Sequence, residues 1–365
     1  MTNDFFEAPS DSSRLKADLV RAYFPAWARV VASESPRVGY FDFFAGPGRY
    51  EDGTPSTPLL VVQAAADIGT IRPKFVGTFN DQNPEHARSL ERELAASDGV
   101  AAFAERPLVT SQPVGPDLVS LFQTRHKRVP TLSFIDPWGY KGVTASLLRA
   151  AITGWGSEVI VFFNYSRINA AVANPAVDSL VVDLFGETRA RDLQLSVAGL
   201  QPRERERRVL AAFGDLMLEF GAPYLIPFRV KRGTGNTLHY ICFVTKHRRG
   251  YTIMKDIMAS RGIVDVDEVP QFEYAPRVDG RQIAFEAERP LASLGSALLD
   301  EFAERTLTFQ QLFDLHNIGR PFVMKNYRRV LLELEASGAI KVTPTVSDRR
   351  RDSLAPRVRL TFPPR

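Results

Sequence analysis

The sequence predicts an α/β protein: a Rossmann-like sheet with helices on both faces, followed by a small C-terminal winged helix-turn-helix domain. Three observations predict this fold. Short apolar runs alternate with helical segments over residues 38–163, which is typical of a mostly parallel sheet. A Gly-x-Gly turn directly follows the first apolar run. Three helical segments and two short strands around a basic loop, over residues 291–362, are the pattern of a winged helix.

The first elements follow from apolar periodicity and turn residues. Apolar side chains recur every three or four residues over 14–33 and predict one helix. The apolar run 38–44 predicts a buried strand that ends in the Gly46-Pro47-Gly48 turn, and a helix over 59–68 follows. A second strand over 75–79 ends in Asn80-Asp81, and a helix over 85–95 begins behind Pro84, which suits a first helical turn.

The remaining strands of the sheet are predicted over 101–103, 131–135 and 159–163, with a helix over 117–124 between the first two. Residues 167–220 read as a helical insertion. Two further runs, 224–230 and 238–245, flank a glycine-containing turn and predict a hairpin that ends the sheet.

Periodicity is lost between about 264 and 290, where prolines and Gly280 gather. We therefore predict an α/β domain over 1–285 and a winged helix-turn-helix domain over 286–365. Helices over 291–305, 308–316 and 322–337, the last stopped by Gly338, precede strands near 340–342 and 358–362.

Composition limits the class of protein. The 365 residues are 44% hydrophobic, enough for a large core. We expect a cytoplasmic protein without a membrane segment, because the chain lacks a run of roughly 20 apolar residues and its first residues are acidic. The single cysteine, Cys242, excludes an internal disulfide and a multi-cysteine metal site, and we expect no metal.

Positive charge is concentrated at the C-terminus, where residues 341–365 hold seven Lys or Arg against two Asp. A phosphate-binding surface would therefore lie in the wing, and we predict nucleic-acid contacts by Arg349, Arg350, Arg351 and Arg357. The alternative is a solvated basic tail.

The turn after the first strand predicts a cofactor site. Glycines let a ligand approach the backbone closely, and an acid at the strand end accepts hydrogen bonds from it. Asp81, at the end of the next strand, would hold the ribose hydroxyls of an adenosine-type cofactor. The alternatives are a tight turn and an acid that caps a helix. The predicted cofactor residues are Asp42, Phe44, Ala45, Gly46, Pro47, Gly48 and Asp81.

The segment Asp136-Pro137-Trp138-Gly139-Tyr140 predicts a substrate site. A carboxylate beside a backbone carbonyl holds both hydrogens of an exocyclic amine, and an aromatic ring stacks on the base. Such a grip would aim the nitrogen lone pair at a sulfonium methyl, so that catalysis would come mainly from positioning. The predicted catalytic residues are Asp136, Pro137, Trp138 and Tyr140. The alternative is a turn whose aromatic side chains cover the sheet edge.

Residues 41–53, 134–142 and 243–247 together resemble the three-Cys-motif partner protein family. The resemblance implies a class I, S-adenosylmethionine-dependent methyltransferase-like domain followed by a winged helix. It also implies a separate three-Cys-motif protein as partner. Trp138 stands where amino-methyltransferases of the Asp-Pro-Pro-aromatic form have a second proline.

The leading hypothesis is a methyltransferase that uses S-adenosylmethionine on a nucleic acid, at a base exocyclic amine. A second hypothesis is a noncatalytic nucleic-acid-binding scaffold with a degenerate methyltransferase fold. A nicotinamide-binding reductase is disfavoured because Glu51 stands where a full Gly-x-Gly-x-x-Gly needs its third glycine. A small-molecule or protein methyltransferase stays open.

Overall fold

A computed structural model describes residues 9–137, 142–172, 179–231, 237–264, 268–274, 290–350 and 353–364. The chain divides into two compact units between Ile257 and Met258. The sequence places the domain boundary after residue 285. Within the described ranges, no helix is both long and apolar enough to cross a membrane.

The first unit is built on a mostly parallel sheet, as predicted. Its strands lie in the order β3-β2-β1-β4-β5-β7-β6. β1, β2, β3, β4 and β5 pair in parallel, whereas β7 is antiparallel to both β5 and β6. The predicted antiparallel pairing of these last two strands is therefore confirmed. The strands are β1 (Val38–Asp42), β2 (Phe75–Asn80), β3 (Leu108–Thr110), β4 (Thr131–Ile135), β5 (Glu158–Phe163), β6 (Tyr224–Lys231) and β7 (Thr237–Thr245).

Helices cover both faces of this sheet, and β1 shows why. Successive side chains of a strand point to opposite faces. Tyr40 contacts Phe24 of α1, and its neighbour Phe41 contacts Phe122 of α4 on the other face. Every residue of β1 is buried, which explains its continuous apolar sequence. The helices of this unit are α1 (Asp11–Ala32), α2 (Thr57–Asp67), α3 (Pro84–Ala96), α4 (Pro116–Arg125), α5 (Ala145–Ile152), α6 (Tyr165–Val172), α7 (Ser179–Phe185), α8 (Glu187–Val197) and α9 (Pro202–Glu219).

The strand predicted over residues 101–103 is wrong. Val100–Ala102 form a turn of 3₁₀-helix, and the edge strand β3 lies at 108–110. Two contacts place β3 there: Asn80, at the end of β2, accepts hydrogen bonds from the Thr110 hydroxyl and the Gln112 N–H. The short apolar run next to Gly99, whose φ is +82°, is therefore a turn that buries Val100 rather than a strand.

The described part of the hairpin and the helical insertion share one large core with α4 and α5. The lone Cys242 of β7 lies in it, fully buried. Burial raises the pKa of its thiol, so that it is an ordinary core side chain. Helix α10 (Arg248–Arg261) runs through the division between the two units.

The second unit contains the predicted winged helix-turn-helix. Strands β9, β10 and β11 form an antiparallel sheet in the order β10-β11-β9, and Gly338, with a φ of +75°, follows the third helix as predicted. Its own core is formed largely by the helices and this sheet. The elements are β8 (Glu273–Tyr274), α11 (Pro290–Glu301), β9 (Thr306–Thr308), α12 (Phe309–His316), α13 (Met324–Ala336), β10 (Lys341–Thr343) and β11 (Arg359–Thr361).

Candidate functional site

The two motifs singled out in the sequence end neighbouring strands. β1 and β4 pair in parallel, with Asp42 opposite Phe134. The chain continues from β1 toward β2 on one side, and crosses from β3 back to β4 on the other. This is the switch point of the sheet, where ligands of open α/β folds bind beyond the carboxyl ends of the strands.

A cavity of about 210 Å³ lies at this point. It is lined by side chains from α1, the ends of β1, β4 and β5, the glycine turn and the start of α2. Of the predicted residues, it brings together Asp42, Phe44, Ala45, Gly46, Pro47, Asp136 and Pro137. Gly48 and Asp81 are not among its lining residues, and Trp138 and Tyr140 lie outside the described residues. The other lining residues are Ser13, Lys16, Arg49, Tyr50, Ser56, Thr57, Pro58, Phe134, Phe162 and Asn164.

The glycine turn has the backbone shape that its sequence requires. Gly46 and Gly48 have φ values of +68° and +91°, in the left-handed region that favours glycine. A Cβ at Gly48 would come within 2.9 Å of Leu90 Cδ1 of α3. The backbone conformation therefore favours glycine at both positions, and the approach of the turn to α3 favours it at Gly48.

Three consecutive amides of this turn are bound within the protein. Phe44 N–H donates to Asp42 Oδ1 (3.1 Å), Ala45 N–H to the Asn80 carbonyl (2.8 Å) and Gly46 N–H to Asp81 Oδ2 (2.9 Å). The strand-end acids thus shape the turn themselves. The sequence predicts that the turn offers its amides to a ligand, and these three are instead engaged with neighbouring strand ends.

Asp81 also organises the start of α3. Its Oδ1 accepts from Asn83 N–H (2.8 Å) and lies 3.3 Å from His86 Nδ1. A carboxylate has about four acceptor positions, so that these contacts leave capacity for a hydroxyl. The side chain is 14% exposed. Asp81 therefore fixes the backbone of Asn83, which is the N-cap of α3, and it keeps an acceptor position for a ligand beside the cavity.

Asp42 is almost completely buried at the base of the cavity. Burial raises the pKa of its carboxyl well above the ordinary value, and the nearby acids Asp136 and Asp81 raise it further, against a lowering by the Phe44 N–H. A buried carboxyl of this kind favours a cationic partner, because such a partner would stabilise its charged form.

Asp136 is held by a lysine from the N-terminal helix. Lys16 Nζ lies 2.6 Å from Asp136 Oδ2, and the two side chains are only 10% and 21% exposed. The same ammonium lies 4.3 Å from the centroid of the Phe162 ring, a cation–π contact. Asp136 is thus oriented within the cavity by a partner from another element.

His239 of β7 contacts both Phe162 and the helix that carries Lys16. Its ring centroid lies 4.0 Å from that of Phe162, and its Nε2 is 3.0 Å from the Ser12 hydroxyl of α1. Burial, with the charge of Lys16, lowers the pKa of His239 to about 3. His239 is therefore neutral at physiological pH and contributes packing and a hydrogen bond to the position of α1.

A polar atom without a partner faces the other side of the site. Ser56 precedes α2 as its N-cap, but its side chain makes no capping bond, and its Oγ is buried with no hydrogen-bond partner. Ser56 lines the cavity together with Thr57, the first residue of α2. Buried hydroxyls are nearly always paired, so that this oxygen fits a ligand group.

The sequence does contain a sign that Lys16 is special, because this lysine lies on the buried stripe of α1. Leu15, Leu19 and Tyr23 form the buried stripe of α1, and Lys16 lies seven residues, or about two turns, before Tyr23. A lysine on a buried stripe needs a partner, because an unpaired buried charge is costly. The partner, Asp136, is 120 residues away in the chain, and no local pattern identifies it.

The predicted wing arginines differ in their surroundings. The Arg349 side chain is only 6% exposed and forms a two-pronged ion pair with Glu335 of α13, with Nη1 2.9 Å from Oε1 and Nη2 bonded to Oε2. It also donates to the Pro344 and Ser353 carbonyls, which fixes the wing loop. Arg350 and Arg357 are exposed, and Arg351 lies outside the described residues.

Further basic side chains lie on α13. Lys325 and Arg329 of this helix are exposed and pair with Glu268 and Glu333 at 3.3 and 3.2 Å. α13 is the second helix of the helix-turn-helix, the element that enters a DNA groove in such domains. Among the described residues, no cluster of three His, Cys, Asp or Glu side chains has the arrangement of a metal site.

Comparison with known proteins identifies the C-terminal domain. A family model described as the GMT-like wHTH domain matches residues 273–347. Comparison with curated proteins found no significant match. Membership of the whole chain in the three-Cys-motif partner family stays a prediction.

Solved structures with partial similarity share little sequence with the chain. Trm1 from Pyrococcus horikoshii, solved with S-adenosyl-L-methionine, is 11% identical, with 100% of this chain and 94% of that chain covered and a TM-score of 0.36. A Legionella pneumophila protein is 10% identical, with coverages of 67% and 91% and a TM-score of 0.38. An Agrobacterium tumefaciens protein described as a predicted O-methyltransferase is 13% identical, with coverages of 62% and 79% and a TM-score of 0.32.

Proposed function

We propose that this protein is an S-adenosylmethionine-dependent methyltransferase that acts on an exocyclic amine of a nucleic-acid base. One observation carries the proposal: the glycine turn with Asp42 and the motif Asp136-Pro137 line the same cavity at the switch point of the sheet. Residues predicted to hold the cofactor and residues predicted to hold the acceptor group thus line one cavity, which supports a group-transfer function.

The residues present fit this cofactor. The buried carboxyl of Asp42 suits its cationic amino group, the unpartnered Ser56 Oγ supplies a hydrogen bond, and Asp81 keeps acceptor capacity for ribose hydroxyls. The cofactor would supply a methyl group on a sulfonium, which passes to the amine nitrogen with release of one amine proton. The cavity is smaller than the about 300–1,000 Å³ of most ligand pockets, so that it would enclose the reacting groups rather than two whole ligands.

The winged helix supports nucleic acid as the substrate class. Arg350 and Arg357 of the wing and the basic residues of α13 are exposed, and phosphate contacts of this kind supply most of the affinity of such domains. Arg349, committed to Glu335, would support the wing rather than contact phosphate. A three-Cys-motif partner protein is proposed on the sequence resemblance alone.

The first test combines binding and activity. Calorimetric titration with S-adenosylhomocysteine should show micromolar affinity, and a screen of DNA and RNA with methyl-labelled cofactor should show labelled base. Asp136→Asn should reduce methyl transfer at least about 100-fold, because it removes the charged acceptor for the amine. Its affinity for S-adenosylhomocysteine should change less than about 3-fold.

Asp117→Asn is the matched control, since Asp117 is an exposed acid in the first turn of α4 and does not line the cavity. It should leave both quantities unchanged. Full methyl transfer by Asp136→Asn would overturn the role of this carboxylate, and absence of label from every nucleic acid tested would overturn the proposed function.

A second function, a noncatalytic nucleic-acid-binding scaffold, is favoured by the three turn amides that are bound within the protein. It predicts nucleic-acid binding with a steep salt dependence and no affinity for S-adenosylhomocysteine. The same titration therefore separates the two functions.

A further inference from the structure

We propose that Lys16 and Asp136 together read the target base, so that the accepting amine belongs to adenine or cytosine. This inference rests on the proposed methyl transfer and specifies its substrate. Lys16 would donate a hydrogen bond to the ring nitrogen beside the amine, while Asp136 accepts one from the amine itself.

The pair presents a donor and an acceptor side by side in the cavity. Lys16 Nζ and Asp136 Oδ2 are 2.6 Å apart, and both residues line the cavity. An ammonium has three donors, and Asp136 takes one of them. A carboxylate with one oxygen bound by Lys16 keeps its other oxygen and the remaining lone pairs as acceptors.

The position of Lys16 is fixed before any substrate arrives. Its side chain is 10% exposed and contacts Phe162, which in turn packs on His239. The helix that carries it is held by a hydrogen bond between the Tyr23 hydroxyl and Glu158. A free lysine would lose side-chain entropy on binding a base, whereas Lys16 has already lost it on folding.

Only some bases match a donor beside an acceptor. The Watson–Crick edges of adenine and cytosine place an amine next to an unprotonated ring nitrogen, and extruded bases are read along this edge. On the same edge, guanine has a ring N–H beside its amine. This N–H would point at the Lys16 ammonium, so that two hydrogen-bond donors would face each other. Uracil and thymine have no amine. The pair therefore favours adenine and cytosine. Phe162, which also lines the cavity, supplies apolar surface beside the base.

The test uses single-stranded DNA and RNA oligonucleotides with one adenine, one cytosine or one guanine among uracils or thymines. A parallel set carries 1-deazaadenine or 3-deazacytosine, which keep the amine and lose the ring nitrogen. Methyl transfer is followed with labelled cofactor and base analysis, and oligonucleotide affinity is followed by fluorescence anisotropy with S-adenosylhomocysteine present.

For the wild type, we expect the deaza base to lower kcat/KM by about 10- to 100-fold, since one hydrogen bond to a charged group is removed. Lys16→Met should lower it by a similar factor on the natural base, with no added loss on the deaza base. Lys16→Arg, which keeps a charged donor, should recover part of the activity. Affinities should follow the same pattern.

Arg21→Met is the matched control, because Arg21 is an exposed basic residue of the same helix and does not line the cavity. It should behave as the wild type. Equal deaza penalties in the wild type and in Lys16→Met would overturn the reading of the ring nitrogen while leaving methyl transfer intact. Label on guanine or on a hydroxyl would overturn the choice of base. Absence of label from every oligonucleotide would overturn the proposed function, and the inference with it.

Discussion

At the scale of single residues, the acids at the strand ends have a structural role that the sequence does not show. Asp42 and Asp81 were predicted as cofactor ligands, and they also bind the turn amides of Phe44 and Gly46. An acid after a buried strand is visible in the sequence, whereas the partner that it selects depends on how neighbouring strands align. The cavity position of Asp42 was therefore predictable, and the internal bond of Asp81 was not.

The raised pKa of Asp42 predicts a pH dependence of cofactor binding. Below that pKa the carboxyl is neutral, so that it attracts a cationic amino group less; above it, the carboxylate attracts the group fully. We expect the affinity for S-adenosylhomocysteine to increase with pH through this range and to level off above it. Calorimetric titrations at a series of pH values measure this dependence.

Asp42→Asn should give an affinity that is weaker at high pH and nearly independent of pH. The same titrations in buffers of different ionisation enthalpy should show that the wild type releases a proton on binding within this range. A wild-type affinity that falls as the pH rises would contradict this role of Asp42.

At the scale of elements, strands that are buried on both faces were predicted within one or two residues, and the edge strand was not. β4 is buried along its whole length, and it lies over the residues predicted from the sequence. β3 has three half-buried residues, and it is positioned by side-chain bonds from Asn80. Composition therefore identified the centre of the sheet better than its edge.

The wing predicts opposite effects for adjacent arginines. Arg349→Ala would leave Glu335 unpaired and mostly buried, and we expect it to lower the free energy of unfolding by about 3 kcal/mol. Arg350→Ala and Arg357→Ala should change this free energy by less than about 0.5 kcal/mol, because both side chains are exposed. Denaturant unfolding of the full chain measures the difference.

Nucleic-acid affinity should depend on Arg350 and Arg357, the two arginines whose substitution has little effect on stability. The double variant of Arg350 and Arg357 should weaken binding and reduce the slope of log affinity against log salt by about 1 for each phosphate that is no longer neutralised. Arg349→Lys keeps a charge but cannot form the two-pronged ion pair with Glu335. Like Arg349→Ala, this variant should therefore have a lower free energy of unfolding than the wild type. An unchanged salt slope in the double variant would place the phosphate contacts elsewhere.

At the scale of the molecule, the first unit is tied together by a buried carboxyl far along the sheet from the cavity. Glu158 begins β5, and it accepts hydrogen bonds from the Tyr23 hydroxyl of α1 and from Thr245 of β7 (2.7 Å). Burial raises the pKa of Glu158 to about 7, against lowering by these two hydroxyls and by Lys246. One side chain therefore links the helix that carries Lys16 to two central strands.

This carboxyl predicts how stability depends on pH. Because its pKa is higher in the folded protein than the ordinary 4.5, its contribution is complete below about pH 4.5 and is lost as the pH rises through about 7. Glu158→Gln removes the titration; its amide oxygen still accepts from one of the two hydroxyls, and its NH₂ group faces the other as a donor. The free energy of unfolding of the variant, relative to the wild type, should therefore increase between about pH 5 and 8, by on the order of 2–3 kcal/mol at most.

Chemical denaturation at several pH values measures this difference. Glu91→Gln is the control, since Glu91 is an exposed acid of α3, and its difference from the wild type should stay constant. A constant difference for Glu158→Gln as well would show that Glu158 does not change its charge in this range.

The burial of Cys242 has a practical consequence for experiments on this protein. The only native thiol is fully buried and its pKa is raised, so that maleimide reagents will not modify it while the chain is folded. A cysteine introduced at an exposed wing position outside the proposed phosphate contacts, such as Ser347, would then be the single site of labelling. A fluorophore or spin label can be placed there on the otherwise native chain, and its signal would test the proposed binding of nucleic acid.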